Sequence, residues 1–247
     1  MSGPSFGKIS KTYFDFLKSH SDPRLKHTVA VYTNPVDLST ENTDPAVQKG
    51  LPNGLNRYML EDDPSYDSSL PAQEHQYSGV KRNVFAKLDG PRMLITYPEM
   101  QFLLSEAATR GWINANAEQL YINGVTGAMK LLSQYDVSAT ISDMEISNYL
   151  NANPFVGTGN LEAASEQINT QFWAATFLNG YESYANVRRS GYPVLEPVVY
   201  PDNETNGKYP RRLKYPQDER VLNTDNYNEA VSRQGADEFL TPVWWDK

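Results

Sequence analysis

The stretch that decides the fold is T96-YPEMQFLLSEAATR-G111-WINANAEQLYINGVTGAMKLLSQ-Y135. Thr96 followed three residues later by Glu99 is a capping-box pattern. Pro98 sits in the first turn, where a missing N–H costs nothing. Met100, Leu103, Leu104, Ala107 and Ala108 then recur at helical spacing, which predicts a buried apolar face, and Gly111 supplies a stop. A second helix is predicted over 115–135, with Tyr121, Val125, Ala128, Leu132 and Tyr135 as its seam. The link is short, so the two helices must be antiparallel neighbours, an αα-hairpin.

Outward from this hairpin, Ser142 and Glu145 form another capping box, opening a helix to about Asn151. Residues 161–178 carry Leu161, Ala164, Ile168, Phe172, Ala175 and Leu178 on one face. Asn179-Gly180 stops that run, and 181–188 resumes as helix. A short helix is predicted near 224–232. Upstream, 10–18 forms a helix with Ile9, Tyr13, Phe16 and Leu17 on one side. Between Ser21 and Ile95 prolines recur too closely for a long helix, and NTDP, GLPNG and EDDPSYDSSLP are turn chemistry. A few short strands and 3₁₀ turns laid on the helices are expected there. The fold class is therefore mainly α: tetratricopeptide-like helical hairpins with long irregular loops and few short strands. The chain is expected to form a single domain over 1–247, loop-rich over 1–95, hairpins over 96–190 and an irregular C-terminal segment over 191–247.

Composition removes several chemistries. The 247 residues contain no cysteine, which excludes disulfides, thiolate metal sites and thiol nucleophiles. The three histidines, His20, His27 and His75, offer no i,i+4 pair, so neither an HExxH metal centre nor a recognisable catalytic triad is present. A net charge of −8 and a pI near 5.0 argue against nucleic acid and anionic membrane surfaces. No apolar run is long enough to span a bilayer. No cofactor or metal is expected, and nothing marks a catalytic carboxylate pair among the 30 acids.

What stands out is polar aromatic surface. Sixteen Tyr, four Trp and twenty Asn accompany a mean hydropathy of only −0.59. Tyr and Trp join an apolar face to a polar handle, which suits a sugar ring. Tyr58, Tyr66, His75 and Tyr77 lie in the proline-rich region and Trp112 follows Gly111, so these five are the candidate ligand-binding residues. Trp173, mid-helix among apolar neighbours, is a core residue. The acidic cluster Glu61-Asp62-Asp63 with Asp67 lacks calcium-loop spacing and is expected to be a solvated loop. The doublets Arg188-Arg189 and Arg211-Arg212 precede proline turns and are expected to clamp backbone carbonyls of the long loops.

Several separated motifs then occur in a known order: SDPRLKHTV at 21–29, EMQFLLSEAATRGW, YINGVTGAM, LEAASEQINTQFWAATFLNGYESYANVRRSGYP, YPRRLKYPQDERVLN and the terminal WWD. Together they resemble the SusD/RagB family from about residue 20 onward. The resemblance implies a non-enzymatic outer-membrane lipoprotein of Bacteroidetes that binds an oligo- or polysaccharide, in some members a peptide. It also implies a SusC-like TonB-dependent transporter as partner. A lid or interaction scaffold without its own ligand site is the alternative. Tyr184, Asn186 and Val187 stand where the family often has Trp, Asp and Trp. The family's lipobox cysteine and N-terminal helical repeats are not among these residues. The chain is therefore expected to be the C-terminal part of a SusD-like protein, with its lipid anchor outside it.

Overall fold

The computed structural model describes residues 7–34, 36–55, 58–69, 76–198, 200 and 202–246. The chain divides into two compact units, Met1–Pro193 and Val194–Lys247. The first unit contains helices α1 (Lys11–Ser19), α2 (Leu25–Thr28) and α3 (Arg82–Phe85), with strands β1 (Val29–Tyr32), β2 (Glu41–Asn42) and β3 (Gly79–Val80). It continues with α4 (Tyr97–Thr109), α5 (Ala117–Tyr135), α6 (Asp143–Ala152), α7 (Leu161–Ala175) and α8 (Gly180–Ser190). The second unit contains α9 (Gln217–Leu222) and α10 (Thr224–Gln234). Helices dominate and the strands are short, as the patterning predicts.

The α4/α5 hairpin forms at the expected place. Its close approach is set by the glycines of YINGVTGAM. A Cβ on Gly124 would lie 2.6 Å from the Phe102 ring, and one on Gly127 would lie 2.8 Å from Tyr97. Phe102 thus sinks into α5 and joins Tyr121, Val125, Met129 and Leu132 in a core completed by Ile146, Tyr149, Ile168 and Phe172. The buried face of α4 differs from the expected one. Met100 and Leu103 are exposed, whereas Ser105 and Glu106 are buried. The reason is that both polar groups find partners inside: Ser105 Oγ donates to Ala117 O (2.8 Å), and Glu106 meets Arg189 from α8. Helix capping also divides. Ser142 and Glu145 make the full capping box of α6. Thr96 instead donates its hydroxyl to Glu99 Oε1 (2.6 Å) and leaves the first backbone N–H groups of α4 uncapped by its side chain. Asn179 ends one helix and caps the next, accepting from Glu182 N.

The proline-punctuated region carries a three-stranded antiparallel sheet in the order β2-β1-β3, registered by Val31↔Asn42 and Val29↔Val80. Beside it, Ile9, Tyr13, Phe14, Leu17, Leu25 and Val29 form a second core against Ala174. Trp173 is half-buried on its margin, edge-on to Tyr13 at 5.5 Å. The Asp22-Pro23-Arg24-Leu25 motif explains how the loops are fastened to the helices. Arg24 and Asp22 form a buried two-point ion pair (Nη2···Oδ2 2.6 Å), and Arg24 also donates to Gln171 Oε1 at 2.9 Å. Gln171 in turn donates to the Tyr149 hydroxyl at 2.7 Å, whose pKa burial pushes up to about 12. Buried charges persist only when paired in this way.

The arginine doublets clamp carboxylates more than the carbonyls expected of them. Arg189 grips Glu106 through both oxygens (3.0 and 2.8 Å) and also donates to Asn169 Oδ1 and Asn186 Oδ1. In the second unit Arg212 donates to Asp237 Oδ1 (3.2 Å) and Arg211 pairs with Asp246. A planar fork matches a carboxylate at two points, which a single carbonyl cannot offer. Arg212 Nε to Leu213 O (3.0 Å) and a long Arg211 contact to Asp246 O follow the carbonyl expectation.

Candidate functional site

Two of the candidate tyrosines share an exposed loop. Tyr58 is 79% exposed and Tyr66 is half-exposed, on either side of the 3₁₀ turn Leu60–Asp62, which buries Leu60. Burial together with the charges of Glu61 and Asp67 raises the Tyr66 phenol above its ordinary range. Tyr77 does not share that surface: its ring is 1% exposed, and its hydroxyl donates to Asp63 Oδ2 at 2.7 Å. His75 lies outside the described residues.

Tyr77 is therefore the pin that holds the loop, and the acidic cluster is not wholly solvated. Burial raises the Asp63 carboxyl, but hydrogen bonds from Ser65 and Tyr77 and the charge of Lys49 outweigh it and hold the pKa low. Lys49 lies over the Tyr77 ring at 4.6 Å and donates to Ser65 O at 2.6 Å. Ser78 closes the base of the loop, bonding Gln48 Oε1 (2.6 Å) and both backbone groups of Lys49. A loop with so little regular structure stays in place because these side chains satisfy its backbone.

Trp112 stands on a different element and is 72% exposed. Its position follows from the end of α4. Gly111 adopts φ +72°, which lets Gly111 N reach Ala108 O (3.0 Å) and Trp112 N reach Ala107 O (2.9 Å). That pair of bonds is the Schellman motif. The Arg110 guanidinium lies over the indole at 5.3 Å and is itself held by Glu106 (Nε···Oε1 2.9 Å). Glu106 is in turn held by Arg189, so a buried carboxylate fixes the cation under the ring. Two arginines hold the Glu106 carboxyl below the usual range against the opposing effect of burial.

Two features were not anticipated. Trp244 is 84% exposed on a turn closed by Asp246 N to Val243 O (2.9 Å), and the Asp246 carboxylate is tied to Arg211. The adjacent tryptophans are visible in the sequence, but their exposure is not. A cleft of about 610 Å³ opens at the end of α1, floored by Leu17, Pro23 and Leu25 and rimmed by Lys18, Lys26 and Glu145. Among the described residues no cluster of three or more His, Asp or Glu side chains is placed to hold a metal ion, and no helix is long and apolar enough to cross a membrane.

An exposed aromatic ring backed by a cation at the end of α4, and a pinned tyrosine loop elsewhere on the first unit, are surfaces suited to binding. Residues 4–216 match the SusD-like family described as starch-binding and associating with the outer membrane. The chain belongs to the SusD-like family. Among solved structures, this SusD-like chain is 33% identical to a chitin-binding protein (TM-score 0.78), covering 97% of itself and 50% of that protein. It is 26% identical to a Bacteroidetes AC2a SusD-like protein (TM-score 0.76), covering 97% of itself and 54% of the other. A protein of Bacteroides vulgatus shares the fold at TM-score 0.79 and 23% identity, over 100% of this chain and 54% of that one. The chain thus spans about half the length of these structures. Comparison with curated proteins gives no significant match.

Proposed function

We propose that this SusD-like chain takes part in non-enzymatic glycan binding at the bacterial outer-membrane surface and in delivering the glycan to a TonB-dependent transporter. The observation that carries this reading is Trp112, exposed yet fixed by the helix end and by Arg110. A stacking platform gains most when its ring is held before the ligand arrives. Tyr58 and Tyr66 offer a separate aromatic surface on the pinned loop, while Tyr77 serves to position them. The family's description as starch-binding and the chitin-binding relative support a polysaccharide as ligand.

Affinity electrophoresis through gels containing starch or glycol chitin tests this. The chain should be retarded on at least one polysaccharide. Trp112→Ala should weaken retention about tenfold, equivalent to roughly 1.4 kcal/mol. Tyr58→Ala with Tyr66→Ala should add a smaller loss. Absence of retardation on every polysaccharide, with the circular dichroism of a folded chain, would sink the proposal.

A second reading, an interaction scaffold, draws on the exposed Met100 and Leu103 of α4. Under it, Met100→Glu with Leu103→Glu abolishes capture of the transporter and leaves polysaccharide retention unchanged.

A further inference from the structure

The second unit contains a cleft of about 600 Å³ lined by Glu204, Lys214, Arg220, Tyr227, Glu238 and Phe239. Its floor is the buried Asp237 carboxylate, which accepts from Arg212 Nη2 (3.2 Å), Tyr215 N (3.1 Å), Arg220 Nη2 (3.3 Å) and the Tyr227 hydroxyl (3.2 Å). Four donors saturate its two oxygens, so Asp237 orients its neighbours. Arg220 is fixed doubly, since its Nε also donates to the Tyr227 hydroxyl at 3.1 Å. A guanidinium has five N–H donors, and these two bonds leave three without a partner among the described residues, on a group that lines the cleft. On the other side Lys214 pairs with Glu204 and lies over the Phe239 ring at 4.9 Å. Glu238 is exposed and forms no ion pair among the described residues.

Fixed donors, a carboxylate acceptor and ring edges therefore converge on a space of ligand size. The cations Lys214 and Arg220 face the anions Glu204, Asp237 and Glu238, so the cleft gives an anion no net attraction. It is also too polar for an apolar guest. The ligand that uses both its donors and its acceptors is neutral and rich in hydroxyls.

We propose that this cleft is a second carbohydrate subsite, taking one or two neutral sugar rings by their hydroxyl groups, with Arg220 as donor and Glu238 as acceptor. The inference rests on the glycan-binding reading above, but on residues that reading does not use.

The whole chain, labelled with ¹⁵N, is titrated with maltotriose and with triacetylchitotriose while the Arg220 Nε–H resonance is followed. A saturable shift is expected with at least one sugar. Glu238→Gln and Lys214→Met should each raise the midpoint at least fivefold without lowering the thermal midpoint of unfolding, and Trp112→Ala should leave it unchanged. If the resonance stays still while Trp112-dependent retention on polysaccharide persists, the cleft is no sugar subsite and the proposed function stands. If it shifts while Trp112→Ala leaves retention intact, the Trp112 platform fails and the cleft stands. An equal shift with sodium acetate overturns the neutral-sugar assignment in favour of an anion site. Silence in both assays overturns both.

Discussion

His27 is buried, and neither ring nitrogen has a hydrogen-bond partner. Burial first, then the positive charges of Lys26 and Lys81, lower its pKa from 6.5 to about 4. Between those values the unfolded chain binds a proton that the folded chain refuses, so stability falls as pH drops from 6.5 toward 4. At one pKa unit per roughly 1.4 kcal/mol, His27 should cost about 2 kcal/mol near pH 4.5 relative to pH 7.5. His27→Leu should therefore gain on the parent as the solution is acidified, in urea titrations at both pH values. Parallel pH profiles would refute this. Tyr77 makes a related point at the same scale. Its neighbours in sequence place it on an open loop, and Asp63, fourteen residues away, holds its hydroxyl inward. Tyr77→Phe should lose about 1 kcal/mol and make 58–69 more sensitive to limited proteolysis. Side-chain roles of this kind were not legible in the sequence, because each depends on a partner that local pattern does not specify.

At the scale of the elements, helix positions were legible and helix rotations were not always. α5 buries Tyr121, Val125, Ala128 and Leu132 as its spacing predicts. α4 begins and ends where its signals place it, yet presents Met100 and Leu103 to the outside, because Ser105 and Glu106 are drawn inward by Ala117 and Arg189. Apolar periodicity counts hydrophobic residues and cannot count partners on another helix. The Gly124–Phe102 contact gives a test. Alanine in a helix interior is favoured over glycine by about 1 kcal/mol. A methyl placed 2.6 Å from a fully buried ring must displace it, and overpacking typically costs about 1–3 kcal/mol. Gly124→Ala should be net destabilising by about 1 kcal/mol. Gly180→Ala, with nothing within 4 Å, should be neutral or mildly stabilising. Equal midpoints for the two variants in thermal unfolding would show that α4 and α5 are free to part.

Across the molecule, buried carboxylates each gather several distant segments. Asp22, through Arg24 and Gln171, joins the chain's beginning to α6 and α7, and Glu106 joins α4 to α8. Asp237 does the same work within the second unit, tying 212, 215, 220 and 227. The motifs that carried the family resemblance, SDPRLKHTV, LLSEAA, VRRSGYP and YPRRLKYP, are largely these ion pairs. That is why the fold was legible and the candidate surface less so: nothing local marks Tyr58 as exposed or Tyr66 as half-exposed, whereas a buried charge needs its partner. Removing one member of a buried pair strands the other at a cost of about 3–5 kcal/mol. Asp22→Asn strands Arg24 and should speed hydrogen exchange across α1, α6 and α7 while leaving 205–240 as protected as before. Asp237→Asn strands Arg212 and should do the converse, loosening 212–237 and sparing α4, α5 and α7. Loss of protection in both units from either substitution would mean that they open as one cooperative body, and that neither carboxylate acts within its own unit alone.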